Sequence, residues 1–182
     1  GELENGPAMV REALGLPAAP AAPGRLLSTG PSYAWLKVGE GCRHKCAFCT
    51  IPSIRGPLRS VPAADLREEA RSLVAQDLTS WGSDFDTPQS LPHLLDELLP
   101  LDRLTWLRLL YLYPSGVTPE LLRYMREAGP QLLPYFDIPL QHAHPEVLTR
   151  MGRPFANDPR RVVDRVREAL PETALRTTFI VG

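Results

Sequence analysis

Apolar runs of strand length alternate with amphipathic segments of helical length from residue 33 to the end of the chain. Such alternation is typical of a parallel sheet or an α/β barrel, where functional groups lie in the loops after the carboxyl ends of the strands. The predicted fold class is therefore α/β. The predicted strands cover 33–38, 105–114, 135–141 and 174–182, and the predicted helices cover 61–76, 87–100, 117–129, 144–152 and 158–170.

Two irregularities interrupt this alternation. The predicted helix over 61–76 meets "DLTSWG" (77–82) with no strand before the next helix, so one strand is apparently missing. The chain also stops on a predicted strand, and an open parallel edge is a liability for a folded protein. Together these features predict an incomplete barrel that belongs to a larger domain.

The first 32 residues differ in composition from the rest of the chain. "AMVREALGL" (8–16) predicts a short helix, and "GLPAAPAAPGR" (15–25) has the composition of a semi-extended linker. We therefore predict an N-terminal tail and Ala/Pro linker over 1–32 and a folded core over 33–182. The whole chain has 20 Lys and Arg against 21 Asp and Glu, so it carries no basic footprint for nucleic acid.

All three cysteines, Cys42, Cys46 and Cys49, lie within eight residues directly after the first predicted strand. An odd number of cysteines at such close spacing argues against a disulfide framework. No signal-peptide pattern opens the chain, and no stretch approaches the ~18–20 apolar residues of a membrane span. We expect a cytoplasmic, reducing setting with no membrane partner, in which clustered cysteines more often bind metal.

Two kinds of metal site remain open for this CxxxCxxC loop. A structural zinc site needs four ligands, and without a second CxxC knuckle it would have to recruit His44 from between two cysteines. A four-iron cubane takes one cysteine per iron, so three cysteines would leave one iron open, as in a catalytic site. Gly39 and Gly41 would let the backbone turn closely around such a group. The cubane is the favoured interpretation, and zinc is the alternative.

A CxxxCxxC loop after the first strand of an α/β barrel, with an aromatic residue before the third cysteine, resembles the radical S-adenosylmethionine (SAM) superfamily. Over about residues 25–182, four collinear blocks are similar to its methylthiotransferases: "YAWLKVGEGCRHKCAFCTIPSIRGPLRS", "AQDLTSWG", "LRLLYLYPSGVTPELL" and "YFDIPLQHAHPEVLTRMGRP". "IPSIRG", "LYLYPS" and "DIPLQH" resemble the branch that modifies an aspartate of a small-subunit ribosomal protein. The tRNA branch, which would read more like "VPYTRG", "TSHP" and "LPVQSG", is the alternative.

This resemblance implies a partial TIM-like (β/α) barrel of the radical SAM type. It implies that Cys42, Cys46 and Cys49 hold a 4Fe-4S cluster whose open iron chelates SAM. One electron, from a donor such as flavodoxin or ferredoxin, would cleave SAM to a 5′-deoxyadenosyl radical. That radical would take a hydrogen from an unactivated carbon, where a methylthio group is then inserted. The implied partner is a small-subunit ribosomal protein or the small ribosomal subunit.

Three further residues are expected to contact SAM. Phe48 occupies the slot whose aromatic ring meets adenine in relatives, Gln141 ends a predicted strand, and Asp77 opens a block that follows the second strand in the family. For Asp77 and Gln141 the alternative is ordinary hydrogen bonding within a loop. Arg153 is expected either to bind an anionic group or to be solvated.

The chain also departs from the family pattern. Methylthiotransferases carry an N-terminal domain with three more cysteines, which hold a second cluster associated with the inserted sulfur, and a C-terminal TRAM domain. Neither domain is recognisable in these 182 residues. Where this chain reads "LVAQDLTSWG", members of the family would have a longer sequence resembling "LVAQGVxELxLVAQDLTSWG". We therefore expect the chain as it stands to lack sulfur insertion.

Overall fold

A computed structural model of the chain describes residues 11–15, 35–69, 73–74, 77–102, 104–153 and 158–181. Its contacts divide the chain into two compact units, residues 1–30 and 31–182. In the first unit the described residues form one helical turn, in which the Gly15 N–H donates to the Glu12 carbonyl (3.1 Å). The linker beyond residue 15 and the boundary near 28–32 lie outside the described residues. All elements named below belong to the second unit.

Strands in the described residues are short, and they pair two by two. The strands are β1 Leu36–Lys37, β2 Gly39–Glu40, β3 Arg59–Ser60, β4 Leu73–Val74, β5 Tyr135–Asp137 and β6 Ala174–Arg176. β1 and β4 pair in parallel, β5 and β6 pair in parallel, and β2 and β3 form an antiparallel hairpin. Parallel pairs with helical crossovers are the hallmark of an α/β protein, so the predicted class is confirmed.

The helices begin and end largely at the signals that the sequence provides. The hydroxyl of Thr118 accepts from the Leu121 N–H (3.3 Å) as the N-cap of α4 (Pro119–Glu127), with Pro119 at the first helical position, and Gly129 follows the helix at φ 81°. Short 3₁₀ turns occupy Leu78–Ser80 and Pro114–Gly116. The helices are α1 Ile51–Arg55, α2 Ala63–Glu69, α3 Leu91–Leu98, α4 Pro119–Glu127, α5 Pro145–Arg150 and α6 Arg160–Ala169.

The predicted helix over 61–76 is wrong in its second half. Helix α2 ends at Glu69, and Leu73–Val74 form β4, with Leu73 opposite Leu36 of β1. The prediction that a strand is missing at this place is therefore also wrong, although the strand is only two residues long. Backbone N–H and C=O groups along β1 need partners, and this tertiary requirement overrides a helical spacing that Leu73 and Val74 also satisfy.

The predicted strand over 105–114 forms isolated hydrogen-bonded contacts with its neighbours rather than a regular ladder, and Tyr111 within it has φ 56°. Leu107 forms a parallel bridge with Leu132, and the Leu112 N–H donates to the Asp137 carbonyl (2.9 Å). The Leu78 N–H donates to the carbonyl of Tyr111 (3.1 Å) on the other side. This segment therefore lies between the 77–78 region and β5, in the order that successive parallel strands would have.

The apolar core lies between these strand segments and the helices. Leu107, Leu109, Leu110 and Leu112 are buried, so the alternation of a strand with one face in the core is broken at Leu110. Helices α3, α4 and α6 contribute Leu, Met and Val side chains to the same cluster. No helix within the described ranges is long and apolar enough to cross a bilayer.

Candidate metal centre

The three cysteines lie on the connection between β2 and β3, whose antiparallel pairing closes the base of the loop. All three thiols are half-buried and none is in a disulfide. The Cys42 N–H donates to the Gly56 carbonyl (3.3 Å), and the Cys49 N–H donates to the Cys46 carbonyl (3.0 Å). The loop thus holds three soft sulfur donors at the surface of the fold, which is the donor set of an iron–sulfur cluster.

Gly41 is required where the two limbs of this loop cross. Its φ is 71°, and a Cβ there would lie 2.5 Å from the Gly56 carbonyl oxygen and still closer to that of Pro57. A Cβ on Gly39 would lie 3.2 Å from the Arg59 carbonyl oxygen. Both glycines therefore make room for the returning limb of the loop itself, which is a different reason from the predicted close approach to a cofactor.

Burial affects the ionisation of the first ligand candidate. Loss of hydration raises the pKa of Cys42, and the nearby Asp77 carboxylate raises it further. The backbone N–H of His44, 3.5 Å from the Cys42 sulfur, offsets part of that increase in pKa. Because metals bind the thiolate, loading this site would release protons.

A stacked column of side chains stands beside Cys46. The imidazole of His44 lies 3.5 Å from the ring of Tyr113 with an interplanar angle of 7°, and the guanidinium of Arg153 lies 4.7 Å from the ring centroid. The Tyr113 hydroxyl is 4.0 Å from the Cys46 sulfur, and Nη1 of Arg153 donates to the same sulfur at 3.8 Å. Arg153 is only 3% exposed, so the expectation that it is solvated is wrong.

Asp77 holds the His44 end of this column by a hydrogen bond. Its carboxylate, 2% exposed, accepts from the Thr79 N–H (3.0 Å), the Thr79 hydroxyl (2.5 Å), the Ser80 hydroxyl and Nε2 of His44 (2.6 Å). Burial alone would raise the pKa of Asp77, but the hydrogen bonds from His44, Ser80 and Thr79 outweigh it, and the pKa is lowered. These contacts are the loop hydrogen bonding that the sequence left as an alternative. A direct contact of Asp77 with SAM stays a prediction.

The other two predicted SAM contacts occupy different settings. Phe48 is 42% exposed, so its ring faces outward rather than into the core. Gln141 has φ 73°, a strained value for a residue with a Cβ, and its backbone is held by Thr178 (2.8 Å) and Ile180 (2.8 Å). Such outliers concentrate at functional sites. The SAM-binding roles of Phe48 and Gln141 stay predictions.

Residues after α5 complete the support of the cysteine loop. The Met151 carbonyl accepts from the Ala47 N–H (2.9 Å), and a Cβ on Gly152, at φ 71°, would lie 2.9 Å from the Lys45 carbonyl oxygen. Nη2 of Arg153 donates to the Pro139 carbonyl (2.7 Å). The segment directly after α5 therefore supports the cysteine loop, in addition to Asp77 after β4 and Tyr113 after the 105–112 segment.

The geometry bears on the choice between the two metal sites. Within the described ranges, no three side chains of His, Cys, Asp or Glu converge on a point where a single ion could sit. The three thiols alone would supply three of the four ligands of a structural zinc site, or one ligand to each of three irons of a cubane.

Comparison with known proteins identifies the superfamily. The family model for the radical SAM superfamily matches residues 36–182. The chain belongs to the radical SAM superfamily. The match covers the cysteine loop, the column beside Cys46 and every strand described above. It confirms the predicted superfamily and implies an iron–sulfur cluster and SAM as its cofactors.

Curated relatives narrow the resemblance. The ribosomal protein uS12 methylthiotransferase RimO of Nitratidesulfovibrio vulgaris (strain DP4) is 61% identical over 186 residues, covering 97% of this chain and 43% of that protein. RimO of Oleidesulfovibrio alaskensis is 57% identical over 191 residues (100% and 44%), and RimO of Moorella thermoacetica is 45% identical over 169 residues (87% and 39%). The resemblance to this branch is confirmed. The chain spans less than half the length of these relatives.

The alignments also indicate residues that the chain lacks. The alignment with the Nitratidesulfovibrio vulgaris protein runs over 186 positions but covers 97% of the 182 residues of this chain, which is about 177. The relative therefore has about nine positions that this chain lacks. In the structure, the two-residue strand β4 lies between α2 and "DLTSWG".

Proposed function

We propose that this chain is the radical SAM core of a methylthiotransferase that modifies an aspartate of ribosomal protein uS12. The observation that carries the proposal is the set of three half-buried thiols on one hairpin loop, in a chain 45–61% identical to RimO proteins. The order of parallel neighbours, from β1–β4 through 105–113 to β5–β6, supports a partial TIM-like barrel. The tRNA branch of the family is the second candidate.

Cys42, Cys46 and Cys49 would hold the 4Fe-4S cluster. When bound, the cluster supplies the single electron that cleaves SAM reductively and so generates a 5′-deoxyadenosyl radical. The chain itself contributes position and shielding. Gly41 fixes the crossing of the loop, and the contact between Ala47 and Met151 fixes its middle.

The surrounding side chains supply the SAM pocket in this proposal. The outward ring of Phe48 offers a flat apolar surface for adenine, and Gln141 presents a polar side chain after the strand segment that begins with β5. Asp77 holds His44 in place through a 2.6 Å hydrogen bond. An electron donor of the flavodoxin or ferredoxin class in the cytoplasm would reduce the cluster.

Anaerobic reconstitution with iron and sulfide tests the metal assignment. We expect about four irons per chain and a brown protein. Replacing any one of Cys42, Cys46 or Cys49 by Ala should abolish cluster binding, because three ligands already leave one iron open. His44→Ala is the matched control, since it removes a residue of the same loop that binds no iron in this proposal.

The outcomes separate the two metal sites. Stoichiometric zinc without iron uptake would refute the cubane. So would a His44→Ala variant that loses its metal while one cysteine proves dispensable.

Binding experiments test the substrate. A version carrying the remaining domains of the relatives should bind uS12 or the small ribosomal subunit. The near-neutral charge of this chain argues against a nucleic-acid substrate. Preferential binding of tRNA that weakens steeply with salt would move the assignment to the tRNA branch.

A further inference from the structure

We propose that Tyr113 and Arg153 make the cluster easier to reduce, because they hold a hydroxyl and a guanidinium beside the sulfur of Cys46. This inference rests on the proposed function, since it requires a cluster on the cysteine loop. It assigns a tuning role to two residues outside the loop.

Arg153 is built into this position. Its side chain is buried, with Nη2 on the Pro139 carbonyl at 2.7 Å and Nη1 at 3.8 Å from the Cys46 sulfur. The guanidinium also lies over the face of Tyr113. A planar guanidinium suits this arrangement, because its fork can donate in two directions while its face stacks on an aromatic ring.

Tyr113 is equally constrained. His44 stacks on its ring at 3.5 Å and is itself held by Asp77. Its hydroxyl lies 4.0 Å from the same sulfur of Cys46. The phenol hydroxyl has a proton that it can donate to this sulfur.

The effect of these two side chains on the reduction potential follows from the negative charge that reduction adds to the cluster. Reduction adds one electron from the external donor to a cluster already ligated by three thiolates, and no bond forms or breaks in that step. Donors and cations near a ligand sulfur stabilise the more negative, reduced form, and the potentials of such clusters depend on hydrogen bonds to sulfur, net charge and exposure. Salt screens this interaction only weakly, because Arg153 is buried.

Redox titration of the reconstituted chain, followed by electron paramagnetic resonance of the reduced cluster, tests the inference. Tyr113→Phe keeps the stack and removes the hydroxyl. At the wild-type midpoint potential, we expect its ratio of reduced to oxidised cluster to fall about threefold, a shift of about 28 mV to more negative values. Arg153→Gln should lower that ratio about tenfold, or about 59 mV.

Two further variants complete the design. Arg153→Lys keeps the charge and should stay within about twofold of wild type, or about 18 mV. Tyr111→Phe is the matched control, because Tyr111 loses the same hydroxyl from an exposed site two residues away and should leave the midpoint unchanged.

The results separate this inference from the proposed function. Midpoints unchanged in Tyr113→Phe and Arg153→Gln, with about four irons per chain, would overturn the inference alone. If Arg153→Gln does not hold a cluster, the conservative Tyr113→Phe variant decides. A wild-type chain that takes up no iron would overturn the proposed function, and the inference with it.

Discussion

Replacing Asp77 by Asn tests whether its carboxylate organises the site. The carboxylate accepts four hydrogen bonds while 2% exposed, and an Asn amide has one accepting oxygen and one NH₂ group. In the best orientation the NH₂ faces the Ser80 hydroxyl and His44, both of which can reorganise to accept. At least one interaction with a charged acceptor is still lost, and each such hydrogen bond is worth about 1.5–3 kcal/mol.

We therefore expect Asp77→Asn to lower the free energy of unfolding by about 2–3 kcal/mol, and Tm by roughly 4–12 °C for a chain of this size. Urea titration followed by circular dichroism measures the change. Asp102→Asn is the matched control, because Asp102 is exposed and should stay within about 0.5 kcal/mol of wild type. An effect of Asp77→Asn no larger than that of the control would refute the reasoning.

The same variant has a characteristic pH dependence. The pKa of Asp77 is lowered in the folded protein, so its ionised form adds stability above its unfolded pKa of about 3.9. That contribution disappears as the pH falls through the lower, folded pKa. The difference between wild type and Asp77→Asn should therefore narrow as the pH falls below about 4. A difference that stays constant from about pH 6 to about pH 3 would contradict this account.

Two other predictions concern the loop and the reaction. Gly41→Ala should lower the free energy of unfolding by at least about 2 kcal/mol and lower the iron content after reconstitution, because the new Cβ would meet both a positive φ and a clash. Gly56→Ala is the control, because Gly56 has φ 75° but open space around the Cβ, and it should cost only about 1–2 kcal/mol. Equal losses in the two variants, measured by urea titration and iron analysis, would show that the clash is irrelevant. With SAM, dithionite and substrate, the reconstituted chain should give no methylthiolated product and at most slow release of 5′-deoxyadenosine, because it has no cysteine beyond 42–49 for a second cluster. Methylthiolated substrate detected by mass spectrometry would show that sulfur delivery needs no further cysteines.

The sequence predicted those features of the fold that local signals encode. Thr118, Pro119 and Gly129 marked the ends of α4 because capping and backbone conformation are local properties. Leu73 and Val74 were assigned to a helix because their spacing fits one. Only the pairing with β1, whose partner residues lie 37 positions earlier in the chain, distinguishes the strand from the helix.

The candidate site likewise has a part that local sequence signals predict and a part that they do not. The cysteine spacing identified the three sulfur donors, since adjacent ligands on one loop are visible in the sequence. Arg153 was a candidate to bind an anionic group, but the column beside Cys46 was missed, because its contacts join Cys46 to Tyr113 and Arg153 across 67 and 107 residues. An aromatic residue directly after a buried strand segment, as in "LYLYPS", was the only local signal for Tyr113.

The distant support of the cysteine loop has a consequence for the order of events during synthesis. Cys49 leaves the ribosome about 100 residues before Arg153, which at roughly 5–20 residues per second is a delay of about 5–20 s. During that interval the loop lacks the Met151 carbonyl, the Arg153 side chain and the Tyr113 ring that later hold it. The thiols are therefore made before the scaffold that shapes them, and cluster loading into the finished geometry has to follow translation of the segment after α5.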